Sequence, residues 1–561
     1  MEIFRFIIVY FCFVYSVSLN QISSEKSSNL DYAYDEINEE PILELSEEKS
    51  NNIIEIESGY IIKEISWTKK EVNIYNYLLG VFEGANDPSF SDAMPIAMIK
   101  DGEISNKINY IKVNTTNTYK YIRYIPPNIN KTDIHPIKIF ISKPKGDSNN
   151  INEETNYQPT NLPLISINSQ NFSDPKDDKK DVECQILLIN GGKIEINETG
   201  KIKIRGRSTA FISPKKPYRI KFATKQKILN FKGEYKKWTL IANSFDRALL
   251  RNDIAFKISE LMEFEYTPRC TPVDVILNGI YRGNYYICDK IEVGEDRINI
   301  DKMEITDISD PAPTITGGYF IEIDGRQDSE KHYKTQNGII FKINEPEEDK
   351  ITVEQENYII SKINKFENEI YNGSLDSIDL ESFSKFFLLE EFSGDYDCIY
   401  SSLYIYKKRN DDKFYFGPVW DFDLAFENDR RLIPTNEKDD FVFNYVVSSG
   451  TMKNFLKTLT ENKDVIEHIK STWEKLCDTV LNKQILFDFI EEKRKLLKES
   501  AEINHIKWDY YGEDLPWDID FRDLTFGRKG ENFDVSVDVI KSYIELRFGS
   551  LTNIINNKVK S

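Results

Sequence analysis

A chain of 561 residues is longer than one ordinary domain, so two or three folded units are expected. Lys and Arg total 73 against 93 Asp and Glu, a net charge of −20, which argues against nucleic acid or an anionic membrane as the main partner. The 31 Tyr and 34 Phe supply the mass for a substantial core.

Residues 1–18 read as a signal peptide: Arg5 precedes an apolar stretch, and the small residues Ser16 and Ser18 suit a processing site. That stretch is short for a membrane span and no later segment is long enough, so a secreted or cell-surface protein without a transmembrane segment is expected. Asn-x-Ser/Thr sites at Asn114, Asn130, Asn171, Asn197 and Asn372 would accept glycans in a eukaryotic secretory pathway. Residues 19–55 are acidic and poor in aromatics, a disordered lead-in by composition. Residues 56–144 alternate short β-like runs (108–113, 119–124) with Gly, Pro and Asn breakers, which predicts a small all-β sandwich. The run GVFEGANDPSFSDAMPIAMI followed by YKYIRYIPP resembles discoidin-like, galactose-binding-like modules, implying a glycan or cell-surface partner. Residues 145–158 read as a linker.

Residues 159–561 read as one α+β domain. In GKIKIRGRSTAFISPKKPYRIKF (200–222), two strands flank the polar turn Gly206–Thr209. With Arg205, Lys215 and Lys216 beside it, the turn is either a phosphate cradle or a solvated basic hairpin. Residues 238–262 form a strand and then a helix, with Asp246 as cap and Arg251 facing a phosphate or a neighbouring acid. Cys270 and Cys288 lie equally far from Gly279, so a turn centred there places them opposite each other in disulfide register. Further strands are predicted at 317–324 and 341–347, and amphipathic helices at 454–498 and 535–557.

The densest chemistry lies in 382–429, where Phe383, Phe386, Phe387 and Leu389 recur at helical spacing before Gly394. Two aromatic runs, 403–407 and 413–417, then flank Asn410-Asp411-Asp412 as a hairpin. Asp395 and Asp397 enter that hairpin and Asp421 and Asp423 leave it, so the two pairs should meet. Carboxylates set among large aromatics carry a desolvation cost that a divalent cation would offset. An Asp, a short hairpin and an Asp-Phe-x motif, in that order, is the layout of a protein-kinase centre, with Asp397 as base and Asp421 and Asp423 at the metal. Ser402 stands where such centres place a metal-binding Asn. His135, His332, His468 and His505 lack ligand or triad spacing, which disfavours His-zinc and Ser-His hydrolases. A glycoside hydrolase with paired carboxylates would leave the basic hairpin without a job.

Taken together, IKIRGRSTAFISPKKPYRIKF, WTLIANSFDRALLRND, VDVILNGIYRGNYYICDKIEV, GGYFIEIDG and GDYDCIYSSLYIYKKRNDDKFYFGPVWDFDLAF resemble the CotH kinase family of spore-coat-type atypical protein kinases and their secreted relatives. The resemblance implies a divergent kinase-like fold, ATP with Mg²⁺ or Mn²⁺, and transfer to a Ser or Thr hydroxyl of a protein substrate. Position by position, it implies phosphate contacts from Lys216 or Lys221, with Arg205 and Ser208 in the phosphate loop. Asp397 becomes base or metal ligand, and Asp421 with Asp423 holds the metal. Departures are Asp289-Lys290, where the family often has Glu-Lys, and Ser402, which would hold a second metal less firmly than Asn. Some relatives are surface adhesins or invasins, so a non-catalytic binding protein on the same scaffold is the alternative.

Overall fold

The computed structural model describes residues 53–56, 61–68, 77–100, 109–127, 135–142, 155–303, 315–325, 331–429, 431–446, 450–508 and 532–560. The predicted signal peptide, most of the acidic lead-in and of the linker, and Asn130 lie outside the described residues. Among the described residues, no helix is long and apolar enough to cross a membrane.

The N-terminal region is β-rich. Strands β1 (Ile53–Glu55), β2 (Ile61–Thr68), β3 (Val81–Ala85), β4 (Met94–Met98), β5 (Asn109–Lys112), β6 (Tyr121–Ile125) and β7 (His135–Ser142) form two antiparallel sheets, ordered β1-β6-β3-β4 and β5-β2-β7. Alternation along β6, and along β2 with a bulge between Ile62 and Glu64, sends Ile62, Ile65, Ile122 and Tyr124 into one core shared by both sheets. The last three residues of the predicted lead-in, Ile53–Glu55, form β1, which pairs with β6.

A closed barrel follows, built from β8 (Leu164–Ser169), β9 (Val182–Asn190), β10 (Lys193–Ile204), β11 (Tyr218–Gln226), β12 (Tyr235–Ile241), β13 (Cys270–Leu277) and β14 (Ile280–Asp289). Every neighbour pair is antiparallel except β8 with β13, the parallel pair that shuts the barrel. Lys201–Ile204 and Tyr218–Phe222 alternate in and out, so Ile202, Ile204, Ile220 and Phe222 fill the interior with Trp238, Leu240 and Tyr285. The sequence predicts an α+β domain; closure into a barrel is what the structure adds.

Between β10 and β11 the polar turn carries a short helix, α1 (Ser208–Ile212), and β12 leads into α2 (Arg251–Leu261). A five-stranded sheet, ordered β16-β17-β15-β18-β19, is made of β15 (Tyr319–Ile323), β16 (Tyr333–Lys334), β17 (Ile340–Glu345), β18 (Leu403–Lys407) and β19 (Phe414–Phe416). Helices α3 (Val353–Tyr371), α4 (Leu380–Ser393), α5 (Thr451–Glu461), α6 (Lys463–Thr479), α7 (Lys483–Trp508) and α8 (Phe533–Lys560) complete the domain, α4 packing on β19 and α7 on the barrel strand β14. Asp379 caps α4 by accepting the Ser382 amide at 2.9 Å, and Gly394 ends it in the left-handed region at φ 68°.

Cys270 and Cys288 are cross-strand partners, but not through a turn centred on Gly279: the turn is Asn278-Gly279, and a bulge between Val275 and Ile276 shifts the register by one residue to bring them opposite as free thiols. The two thiols interact with each other, and Cys270 Sγ also donates to Asp253 Oδ1 at 3.5 Å and Cys288 Sγ to the Tyr286 carbonyl at 3.7 Å.

Candidate functional site

The β18–β19 hairpin does bring its two ends together. Gly394 turns the chain out of α4, and Asp395 Oδ1 accepts the Asp397 amide at 3.0 Å, fixing the short turn that presents Asp397. On the far side, Ser402 Oγ donates to Asp421 Oδ2 at 3.3 Å. Ser402 and Asp421 hold φ of 63° and 78°, strained values for residues with a side chain, so the surroundings dictate their conformation. Helix α2 supplies the brace. Asn252 Oδ1 accepts the Phe422 amide at 2.9 Å, and Arg251 Nε donates to the Ala425 carbonyl at 2.8 Å while its guanidinium pairs with Asp246. Arg251 thus meets the neighbouring acid rather than facing a cavity, and Asp246 accepts the Leu250 and Arg251 amides as the expected cap.

Two cavities meet over this turn. The smaller, about 580 Å³, is lined by Asp397, Asp421 and Asp423 together with Arg205, Arg207, Ser208, Asn243, Asn252 and Arg431. The larger, about 1070 Å³, is lined by Lys203, Lys237, Lys290, Glu292, Ser401 and Ser402 among others. Arg205, Gly206, Arg207, Trp420 and Asp421 belong to both and form the shared wall. Asp397 opens only to the smaller cavity. The Arg205 guanidinium lies 5.5 Å from the centre of the Trp420 ring, and Arg207 pairs with Asp324 at 3.7 Å.

The carboxylates act on one another. Burial holds Asp423 well above the usual carboxylate range, and the charges of Asp421 and Asp397 add to that. Asp395 is raised in the same way, by burial and then by Asp397. Behind them Glu390 is raised by burial and by Asp395, and its Oε2 has no hydrogen-bond partner. On the cavity walls the Asn243 amide nitrogen and the Ser401 hydroxyl are likewise buried without partners. A hard divalent cation fits this donor set, which is all oxygen. Among the described residues, no three His, Cys, Asp or Glu side chains are gathered tightly enough to hold a metal by themselves. Mg²⁺ is commonly bound through one or two carboxylates completed by water and substrate phosphates.

The structure therefore brings together Asp397, Asp421, Asp423, Ser402, Arg205 and Ser208. Two residues singled out in the sequence lie elsewhere. Lys216 lines neither cavity; its Nζ donates to the Ala210 carbonyl at 2.6 Å and pins the end of α1. Lys221 faces outward on β11, opposite Lys201 and Lys237, and lines neither cavity. Lys237, on the adjoining strand, does line the larger one. Period-2 alternation could have favoured Lys237 had the strand's neighbours been known, but no sequence signal marks Asn243 or Asn252.

A family model described as CotH kinase protein matches residues 202–551. The chain belongs to the CotH kinase family. The matched segment of this CotH family member runs from the inner half of β10 to α8 and contains every cavity residue named above. No curated protein matches the chain. Among solved structures, CBM62 from Clostridium thermocellum Xyl5A is similar at 22% identity, over 16% of this chain and 70% of that one, with a TM-score of 0.15.

Proposed function

We propose that this CotH family member is a secreted atypical protein kinase that transfers the γ-phosphate of ATP to a Ser or Thr hydroxyl of a protein, on a divergent kinase-like scaffold spanning residues 159–561. The observation that carries the reading is the meeting of two cavities at Arg205–Arg207 and Trp420–Asp421, with Asp397 open only to the smaller one. Phosphoryl transfer needs a donor compartment and an acceptor compartment that touch at the migrating group. The larger cavity, rich in lysine, takes the nucleotide, with Lys237 and Lys290 facing it. Arg205, which has no carboxylate partner among the described residues, neutralises phosphate oxygens at the junction. Asp397 receives the acceptor hydroxyl and takes its proton. Asp421, Asp423 and Ser402 hold a divalent cation, which when bound supplies charge neutralisation to the phosphates. Ser208 and the α1 turn close over the junction.

The test is the purified full chain with labelled ATP and Mn²⁺, followed by self-phosphorylation, alongside Asp397→Asn and Asp421→Ala. Both substitutions should abolish transfer; undiminished transfer in both would refute the site assignment.

A further inference from the structure

The smaller cavity has a second character besides its carboxylates. Ile323, Ile339, Ile340, Ile399 and Met452 line one part of it, and Ile212 enters from α1. These residues form a continuous wall, because the Asp324 amide bonds the Ile340 carbonyl at 3.1 Å and the Gly325 amide bonds the Tyr400 carbonyl at 2.8 Å. Beside them, Gly338 packs against Thr451 at the start of α5. Next to Ile212 on the same short helix is Phe211, 78% exposed and the most exposed large apolar side chain among the described residues. A lone exposed apolar residue needs no explanation, but one adjoining an apolar cavity wall extends that surface outward.

Resting on the kinase reading above, we infer that the acceptor is a polypeptide carrying a bulky aliphatic or aromatic residue next to its hydroxyl. That residue seats between Ile212 and the Ile339, Ile340 and Met452 wall, and the chain beyond it passes over Phe211. Two observations select this occupant. Phe211, exposed beside Ile212 and outside the lining of the 580 Å³ cavity, offers apolar surface farther out than a small alcohol confined to the cavity would reach. The basic groups facing the cavity are already matched, Arg207 with Asp324 and Arg431 with Asp429 at 2.7 Å, and its carboxylates Asp397, Asp421 and Asp423 are assigned above to the hydroxyl and the cation. Arg205 is committed to the phosphates. Against the Ile339, Ile340 and Met452 wall, away from the carboxylates, a charged neighbour of the hydroxyl would lose hydration without an uncommitted partner, whereas an apolar neighbour buries surface there and excludes water from the reacting group.

The test uses the full chain with ATP and Mn²⁺ and a positional-scanning set of Ser and Thr peptides. Peptides with Leu, Ile, Met or Phe beside the hydroxyl should exceed those with Lys, Asp or Gly by about tenfold or more in kcat/KM. Ile212 is half-exposed, so Ile212→Lys should fold, with the thermal shift caused by ATP and Mn²⁺ as its control, and it should collapse the ratio toward one. Transfer without preference among flanking residues, a preference for charged ones, or a ratio unchanged in I212K overturns the inference while leaving the kinase reading standing. If no peptide is phosphorylated although the chain phosphorylates itself, the peptide acceptor is overturned. If both fail and no nucleotide shift occurs, the kinase reading falls with it.

Discussion

Lys215 Nζ lies 2.8 Å from Asn504 Oδ1, a contact between the loop that carries Arg205 and a helix 289 positions later. The same ammonium reaches the Asn284 carbonyl, and the Asn284 amide returns to Asn504 Oδ1 at 3.1 Å. Lys215 is fully enclosed, and burial drives its pKa well below the ordinary lysine value. A basic residue that sequence reading assigns to the phosphate-facing turn is thus an anchor, tying α7 and the β13–β14 hairpin to the end of that turn.

This separates two kinds of basic residue in one motif. Lys215→Met leaves the Asn284 carbonyl and Asn504 unpaired and should cost about 2–4 kcal/mol of stability. Arg205→Ala, on the shared cavity wall, should barely move Tm yet weaken the thermal shift produced by ATP with Mn²⁺. Thermal unfolding of both variants with and without nucleotide decides the matter. A stable K215M that has lost its nucleotide shift would return Lys215 to the phosphates.

A different sign of effect is expected at the carboxylates. Asp421 stands among the charges that raise Asp395 and Asp423, so without a cation its own charge opposes folding. Asp421→Asn removes that charge and keeps a residue type that tolerates φ of 78°. Its Tm without divalent metal should equal or exceed that of the parent by a few degrees, while phosphoryl transfer falls roughly a thousandfold. Added Mn²⁺ should raise the Tm of the parent and leave the variant unmoved. A metal shift as large in D421N would place the cation elsewhere.

Much of this centre is legible in the sequence because it is local. The Asn410–Asp412 turn, the alternation of Tyr404 and Tyr406, and Gly394 suffice to fold the chain back and set Asp397 opposite Asp421. The Cys270–Cys288 register is less simple: the turn is Asn278-Gly279, and a bulge between Val275 and Ile276 shifts the pairing by one residue to set the two opposite. What is not legible depends on distant partners. Barrel closure comes from the parallel pairing of β8 with β13, whose residues Leu164 and Asp274 are 110 positions apart. Nothing in SPKKPYRIKF says that the first lysine will be swallowed by α7, the second used on the Ala210 carbonyl, and the third left outside the barrel. A lysine's role is set by what the fold brings to its ammonium, and composition carries no record of that.

Glu391 offers a pH test outside the cavities. It pairs with Arg547 at 3.4 Å and accepts the Val442 and Phe443 amides, yet burial still pushes its carboxyl up to about 7. The folded value lies above the unfolded one, so the neutral form is the one the fold prefers. That stabilisation is complete below about 4.5 and is lost as pH rises through about 7, an effect on the order of 3 kcal/mol. Glu391→Gln keeps an acceptor for one of the two amides, a cost that does not vary with pH, and cannot ionise. The Tm of E391Q relative to the parent should therefore climb by about 2 °C or more between pH 5 and pH 8.5. A difference that stays flat across that range would show that Arg547 holds Glu391 ionised throughout.

The N-terminal sheets and the barrel share apolar surface, which bears on whether residues 159–561 can stand alone. Leu78, Leu79, Val81 and Met98 pack in one cluster with Leu164, Leu187, Ile189, Ile276 and Tyr281 from the barrel and Ile503 from α7. Arg123 extends the seam, with Phe90 and Phe172 each 4.3 Å from its guanidinium, while it pairs with the buried Glu83 at 2.7 Å. Gly279 sits at the contact with φ of 74°, where an added Cβ would come within 2.0 Å of Ile125. Removing residues 1–158 strips the cover from five barrel side chains at once, an exposed patch of the kind that drives aggregation. The truncated chain should elute as aggregates or unfold at least 10 °C below the full chain, which should melt in a single transition. Gly279→Ala should lower that Tm in the full chain and matter less in the truncated one, where Ile125 is gone and only the left-handed backbone strain remains. An independently stable 159–561 with the parent's Tm would show that the shared cluster contributes little and that the β-rich region is a separable module.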